Sequence, residues 1–210
     1  MNQKYEFVEG DEVTTPSGVI LKRIRALVTI GATATTPTVN PGDLGGYIQS
    51  EANLSETGNA WVYGNARVSD NARVYGNARV YGNAWVYRDA HVYGNAQVSG
   101  DAHVYGNAHV YGNARVYGNA RMSGDAWVAD DGLIFWASKV GTENGTLTIY
   151  NGKDSTILVT RGCFLGTLTE FLEKSKQVHD ARTHHEYKLL LEVATSRIEA
   201  ARARLLEGKA

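Results

Sequence analysis

Three histidines, His91, His103 and His109, lie with Arg73 and Trp127 at spacings that are multiples of six residues, and the tyrosines Tyr75, Tyr93 and Tyr111 form a second series two positions further on. Histidines in a set could hold zinc or move a proton. Arginine beside aromatic rings could instead stack a planar ligand and hold its anionic group. The spacing decides which of these side chains can meet. If three hexapeptides close one coil, residues i and i+18 sit one above the other. One face then carries Trp61, Arg79, Gln97 and Arg115 beside Tyr63, Tyr81, Ser99 and Tyr117. A second carries Arg67, Trp85, His103, Arg121 and Lys139 beside Ser69, Tyr87, Tyr105 and Ser123. The third carries Arg73, His91, His109 and Trp127 beside Tyr75, Tyr93 and Tyr111. His91 and His109 are neighbours on that face, while His103 lies on another, so one subunit offers no three-histidine site. No glutamate occurs between Glu56 and Glu143 to act as acid or base. The expectation is therefore no catalytic residue, no metal and no cofactor. The third face, Arg73, Tyr75, His91, Tyr93, His109, Tyr111 and Trp127, is expected to bind a ligand.

Such columns need a regular scaffold, and the chain supplies one. Twelve hexapeptides run without a gap from Ala60 to about Asp131 and repeat the pattern small, variable, aliphatic, Tyr or Ser, Gly or Asp, Asn or Asp. In a strand, residues two apart share a face, so Ala72 and Val74 point inward while Arg73 and Tyr75 point out. Gly76 and Asn77 then supply a corner, because both residue types tolerate positive φ. The small and aliphatic rungs extend forward to Gly132/Ile134 and Ser138/Val140, and backward to Ala52/Leu54 and Gly46/Ile48. A two-residue insertion, Glu56-Thr57, breaks the register once. The predicted fold is mainly β, a triangular parallel β-helix of about five coils over residues 46–140.

These hexapeptides resemble the left-handed parallel β-helix of hexapeptide-repeat proteins, with Tyr where that family prefers Gly. The resemblance implies a left-handed coil and a homotrimer whose interfaces use a face or edge of the prism. Proteins of similar fold include acyltransferases and zinc carbonic anhydrases. Here no loop is extruded between coils to carry an acyl-transfer histidine, and the histidine spacing departs from the zinc pattern. The flanks LKRIRAL (21–27), GDLGGYIQSE (42–51), GTLTIY (145–150) and RGCFLGTLTEF (161–171) resemble poorly characterised phage and prophage repeat proteins. That resemblance implies a phage origin and a place in the host cytoplasm.

Around the repeat, residues 1–45 read as a β-rich cap, with a Thr/Pro/Gly loop from Gly31 to Gly42 and a turn at Gly45-Gly46. Residues 141–166 read as a second β cap and residues 167–210 as helical. Solenoid ends need such caps to cover their unpaired strand edges. Thr167 and Glu170 form a capping box. A stripe of Tyr187, Leu190, Leu191, Ala194, Ile198, Ala201 and Leu205 requires a partner surface, either the protein's own cap or another chain. Net charge of −1 over 210 residues argues against nucleic acid and anionic membrane as partners. The single Cys163, read as a small residue ending a buried strand, excludes an intramolecular disulfide, and no apolar run reaches membrane-spanning length. The expected activity is non-catalytic capture of a small anionic, nucleotide-like ligand or of a host protein, with counter-defence as the expected purpose. A structural element of a phage particle is the alternative, and an acyltransferase-like enzyme the third.

Overall fold

The structure, a computed structural model, describes residues 2–33 and 36–208. Three strands precede the repeat: β1 (Tyr5–Thr14), β2 (Ile20–Ala26) and β3 (Leu44–Ile48). Twelve two-residue strands follow, from β4 (Trp61–Val62) to β15 (Trp127–Val128), one per hexapeptide. They stack in parallel with the expected step, Arg73 on His91, His91 on His109 and His109 on Trp127. The result is a parallel β-solenoid of about five turns. Its first turn is two residues longer, since Ile48 pairs with Val68 and Leu54 with Val74. Glu56-Thr57 accounts for the difference.

The alternation that predicts the inward residues holds at every rung. Each Ala and Val from Ala60 to Val128, with Met122 in one Val position, is fully buried. Along the strands backbone groups pair from coil to coil, as in Arg73 N to Ala90 O at 2.9 Å and Tyr75 N to Val92 O at 3.0 Å. At the corners Asn59, Asn77, Asn95 and Asn113 form an amide ladder with steps of 3.3, 3.1 and 3.2 Å. Gly94 shows why corners favour glycine. Its φ is +68°, and a Cβ there would lie 3.0 Å from the Gly112 nitrogen in the next coil.

Both ends are capped. At the first, β1 and β2 form an antiparallel pair, β2 pairs antiparallel with β3, and β3 joins the second face in parallel through Tyr47 and Arg67. Gly45 and Gly46 are thus strand residues, not a turn. A Cβ on Gly46 would lie 2.6 Å from the Ala66 carbonyl oxygen, so glycine permits a close approach of two backbones.

At the other end the last two expected rungs leave the solenoid. Residues Ile134–Val140 form β16, which runs antiparallel to β17 (Gly145–Asn151) in a sheet completed by β18 (Ile157–Arg161) and β19 (Phe164–Thr167). The cause is the missing corner. Where Gly118-Asn119 turns the coil before, Trp136-Ala137 stands eighteen residues later and the chain runs straight. Lys139 therefore lies in this sheet and not on the second face. Cys163 sits in the exposed turn between β18 and β19, not at a buried strand end.

Helix α1 (Leu168–Val178) opens on the Thr167/Glu170 capping box, and α2 (Ala181–Glu207) on Asp180, whose side chain accepts from Thr183 N. The stripe of α2 buries Tyr187, Leu191, Ala194, Ile198 and Ala201 against α1, β16, β17 and the turn at Asp131–Leu133. The helix closes its own chain's cap. None of the helices is long and apolar enough to cross a membrane, among the described residues.

Because the interior is one Ala/Val layer thick, a buried charge there has no partner. Val92→Asp is expected to cost about 3–5 kcal/mol, read as a large drop in melting temperature. An unchanged Tm would place Val92 outside the core.

Candidate functional site

The third face brings together all seven residues expected there. Tyr75 and Tyr93 stack with ring centroids 4.9 Å apart and planes 1° from parallel, and Tyr93 and Tyr111 follow at 5.2 Å and 8°. Beside them His91 and His109 stack at 5.0 Å and 14°, with Trp127 tilted under His109 at 5.4 Å. Tyr75 meets His91, and Tyr93 meets His109, edge to face at 6.0 Å. Arg73 heads the second column, exposed, and its guanidinium makes no hydrogen bond or ion pair among the described residues. The two columns form one continuous ring surface.

Burial decides its charge. The His91 pKa is pushed below its ordinary value of 6.5, first by burial and then by the Arg73 guanidinium, with Asp89 opposing. His109 is lowered by burial and by His91, and both phenols, Tyr75 and Tyr93, are raised by burial. Burial thus favours the neutral form of both histidines and of these two phenols. Arg73 supplies the only cation of the two columns.

The stacking also limits what these rings can do. Each face of Tyr93 lies against another tyrosine, so it offers a ligand only its edge. Tyr75 differs. It lines a cavity of about 580 Å³ together with Glu51, Ala52, Leu54, Ser55, Glu56, Arg73, Val74 and His91. The two glutamates were not among the expected site residues, because they precede the repeat. The insertion Glu56-Thr57 was the legible sign that this coil differs.

The other faces depart from a uniform aromatic and cationic surface. On the first, Trp61 and Arg79 are fully buried beneath the amino-terminal segment. The Arg79 guanidinium donates to the carbonyls of Asn59 and Gly31 and lies over Tyr63, whose hydroxyl reaches Pro37 O at 3.5 Å. Lys4, bonded to Ser55 O at 2.8 Å, has its pKa pushed down to about 8 by burial and by Arg79. Repeat periodicity could not reveal this cover. On the second face Trp85, Tyr87, His103 and Tyr105 cluster, with Tyr87 and Tyr105 stacked at 4.9 Å. Burial and Arg121 lower the His103 pKa.

At the far end, His179 packs on the Tyr187 ring and His184 Nδ1 lies 3.2 Å from Ser175 Oγ, both away from the third face. Cys163 shares a cavity of about 180 Å³ with Glu143, Lys174 and His179. Among the described residues no three His, Cys, Asp or Glu side chains are placed to hold a metal ion.

Fold and site define the class: a capped parallel β-solenoid with one face built as two columns of stacked rings. Segments 60–76, 72–88, 78–94, 96–112, 108–124 and 114–130 match the family described as YdcK Beta solenoid repeat. The chain is similar to that family over the repeat block. No curated protein matches it.

All three solenoid histidines have lowered folded-state pKa values, so the unfolded chain takes up protons first as pH falls. Stability is fully present above 6.5, the ordinary value, and is lost as pH falls from there toward the folded values. Melting curves between pH 7.5 and 5 should show this loss, and NMR titration should place His91 and His109 below 6.5. Arg73→Ala should raise the His91 midpoint. Midpoints at or above 6.5 would remove burial as the controlling effect.

Proposed function

We propose that the chain is a non-catalytic binding protein, one subunit of a homotrimer, that captures a planar aromatic small molecule on its third face. One observation carries this reading: the tyrosine ladder ends in an open ring face inside a cavity large enough for a small planar ligand. Rings already held by the coil lose little freedom on binding, so stacking energy is retained as affinity.

The resemblance of the flanks to phage and prophage hexapeptide-repeat proteins adds a setting. On it, the protein acts in the host cytoplasm by sequestering a small aromatic signal, or by occupying a host protein, as counter-defence. The homotrimer follows instead from the resemblance of the hexapeptides to left-handed β-helix proteins, and three copies would present three equivalent cavities. An assembly element of a phage particle is the second reading. The caps argue for the first, because they cover the strand edges through which such a rod would extend.

Native mass spectrometry of protein purified from infected cells tests the reading, with trimer mass and a retained small molecule as the expected outcome. Arg73→Ala with Tyr75→Ala should then weaken capture by about 1–3 kcal/mol per lost stacking contact with Tm nearly unchanged. Tyr105→Ala, which removes an equivalent stack from the second face, is the control; Arg79 cannot serve because it is buried. Equal loss from both variants would make the rings a general surface. No loss from either would move the site to the caps.

A further inference from the structure

Outside the ladder itself, serine stands at several tyrosine positions, and two of these are filled by another ring. Trp85 Nε1 lies 3.3 Å from Ser69 Oγ, and the Tyr150 hydroxyl accepts from Ser123 N at 3.1 Å and donates to Ser123 O at 3.2 Å. Ser69 and Ser123 are buried as a result. Ser55 is another such position. Its N–H donates to Val74 O at 2.9 Å, as Tyr75 N does to Val92 O and Tyr93 N to Val110 O. Ser55 therefore occupies the rung before Tyr75, one ring short of a longer ladder. Among the described residues no third ring joins Tyr75 and His91 in lining the space, and the cavity of about 580 Å³ lies there.

The neighbouring column also withdraws at this level. Asn53, the residue one rung before Arg73, turns its buried amide inward to Asp70 O at 3.0 Å and Ala72 O at 2.9 Å. The charged residues that line the cavity beside Tyr75 are Arg73, Glu51 and Glu56; the Lys4 ammonium is buried behind it, committed to Ser55 O at 2.8 Å, its pKa pushed down to about 8 by burial and by Arg79. Glu56 Oε1 already accepts from Gln3 N at 2.6 Å, which orients the group and leaves Oε2 for a ligand. Two carboxylates against one guanidinium disfavour an anion, and carboxylates accept N–H donors.

We infer that this cavity takes a planar aromatic cation bearing N–H donors, which stacks on Tyr75 as the next ring of the ladder and donates to Glu51 and Glu56. Attraction between a cationic ring and the Tyr75 face adds to the stacking. The inference rests on third-face capture and names its ligand class. It reverses the sign expected from the repeat alone, because the charges that decide it belong to the coil before the repeat.

The test uses the full chain and two fluorescent probes with the same three-ring plane: 9-aminoacridine, a cation with amino donors, and 9-anthracenecarboxylate, an anion. The cation should bind one per chain and about tenfold or more tighter than the anion. Tyr75→Ala should weaken it about tenfold, and Glu51→Gln with Glu56→Gln should abolish its advantage over the anion. Ser55→Tyr, which supplies the missing ring, should block the cation; it gives up the exposed Ser55 Oγ contacts to Thr57 at 3.2 Å, so its Tm is measured beside that of Ser55→Ala, which should keep the cation. Cation binding that survives Ser55→Tyr or Tyr75→Ala overturns the site. Equal binding of both probes, lost in Tyr75→Ala, overturns the charge assignment and leaves third-face capture standing. Binding of neither probe overturns third-face capture itself.

Discussion

The backbone ladder that joins each residue to the one eighteen positions later sets the other distances in this molecule. Parallel strands stack about 4.8 Å apart, and the tyrosine rings follow at 4.9 and 5.2 Å, the histidines at 5.0 Å. Side chains cannot choose their neighbours independently of that spacing. A ring column forms wherever successive coils repeat an aromatic residue, and an amide ladder wherever they repeat asparagine. The ladder in turn depends on an interior filled by Ala and Val, with Met122 the one larger residue admitted among the repeat rungs.

Ring columns stabilise the coil and at the same time consume the surfaces that would bind a ligand. Offset stacking contributes about 0.5–1.5 kcal/mol per pair beyond burial, but it turns the broad face of each ring toward its neighbour. Partial burial favours the neutral form of the histidines, so the third face is less cationic than its composition implies. The first face is withdrawn altogether, with Trp61 and Arg79 serving as the floor on which the amino-terminal segment packs. Identical repeat chemistry thus gives three unlike faces, and the difference comes from the flanks.

That division explains what the sequence disclosed. Inward residues, coil length, the Glu56-Thr57 break and the pairing of His91 with His109 all follow from period and alternation, which are local rules. The capping box at Thr167 and the buried stripe of α2 were legible for the same reason. Reading Gly132/Ile134 and Ser138/Val140 as rungs failed because inward residues alone do not make a coil; the corner residues were gone at Trp136-Ala137. Gly45-Gly46 reads as a turn by composition, yet it serves close backbone approach, which only the neighbouring Ala66 carbonyl reveals. The burial of Arg79 and the position of Glu51 at the cavity were beyond reach. Both depend on where non-repeating segments fold across the solenoid.

A perfect repeat offers every coil the same surroundings and so distinguishes no site from any other. Specific recognition requires a place where the pattern is broken. Corners at Asp70 and Arg88 show a break that the chain resolves internally: both hold positive φ without glycine, and Arg88 N donates to Asp70 Oδ2 at 3.0 Å. Ser69 and Ser123 are resolved by borrowed rings. At Ser55 the break opens outward instead, beside an insertion that adds a carboxylate and below a column that ends in an unpaired guanidinium. The physics that builds the rod therefore also locates its most individual surface, at the rung where the ladder stops.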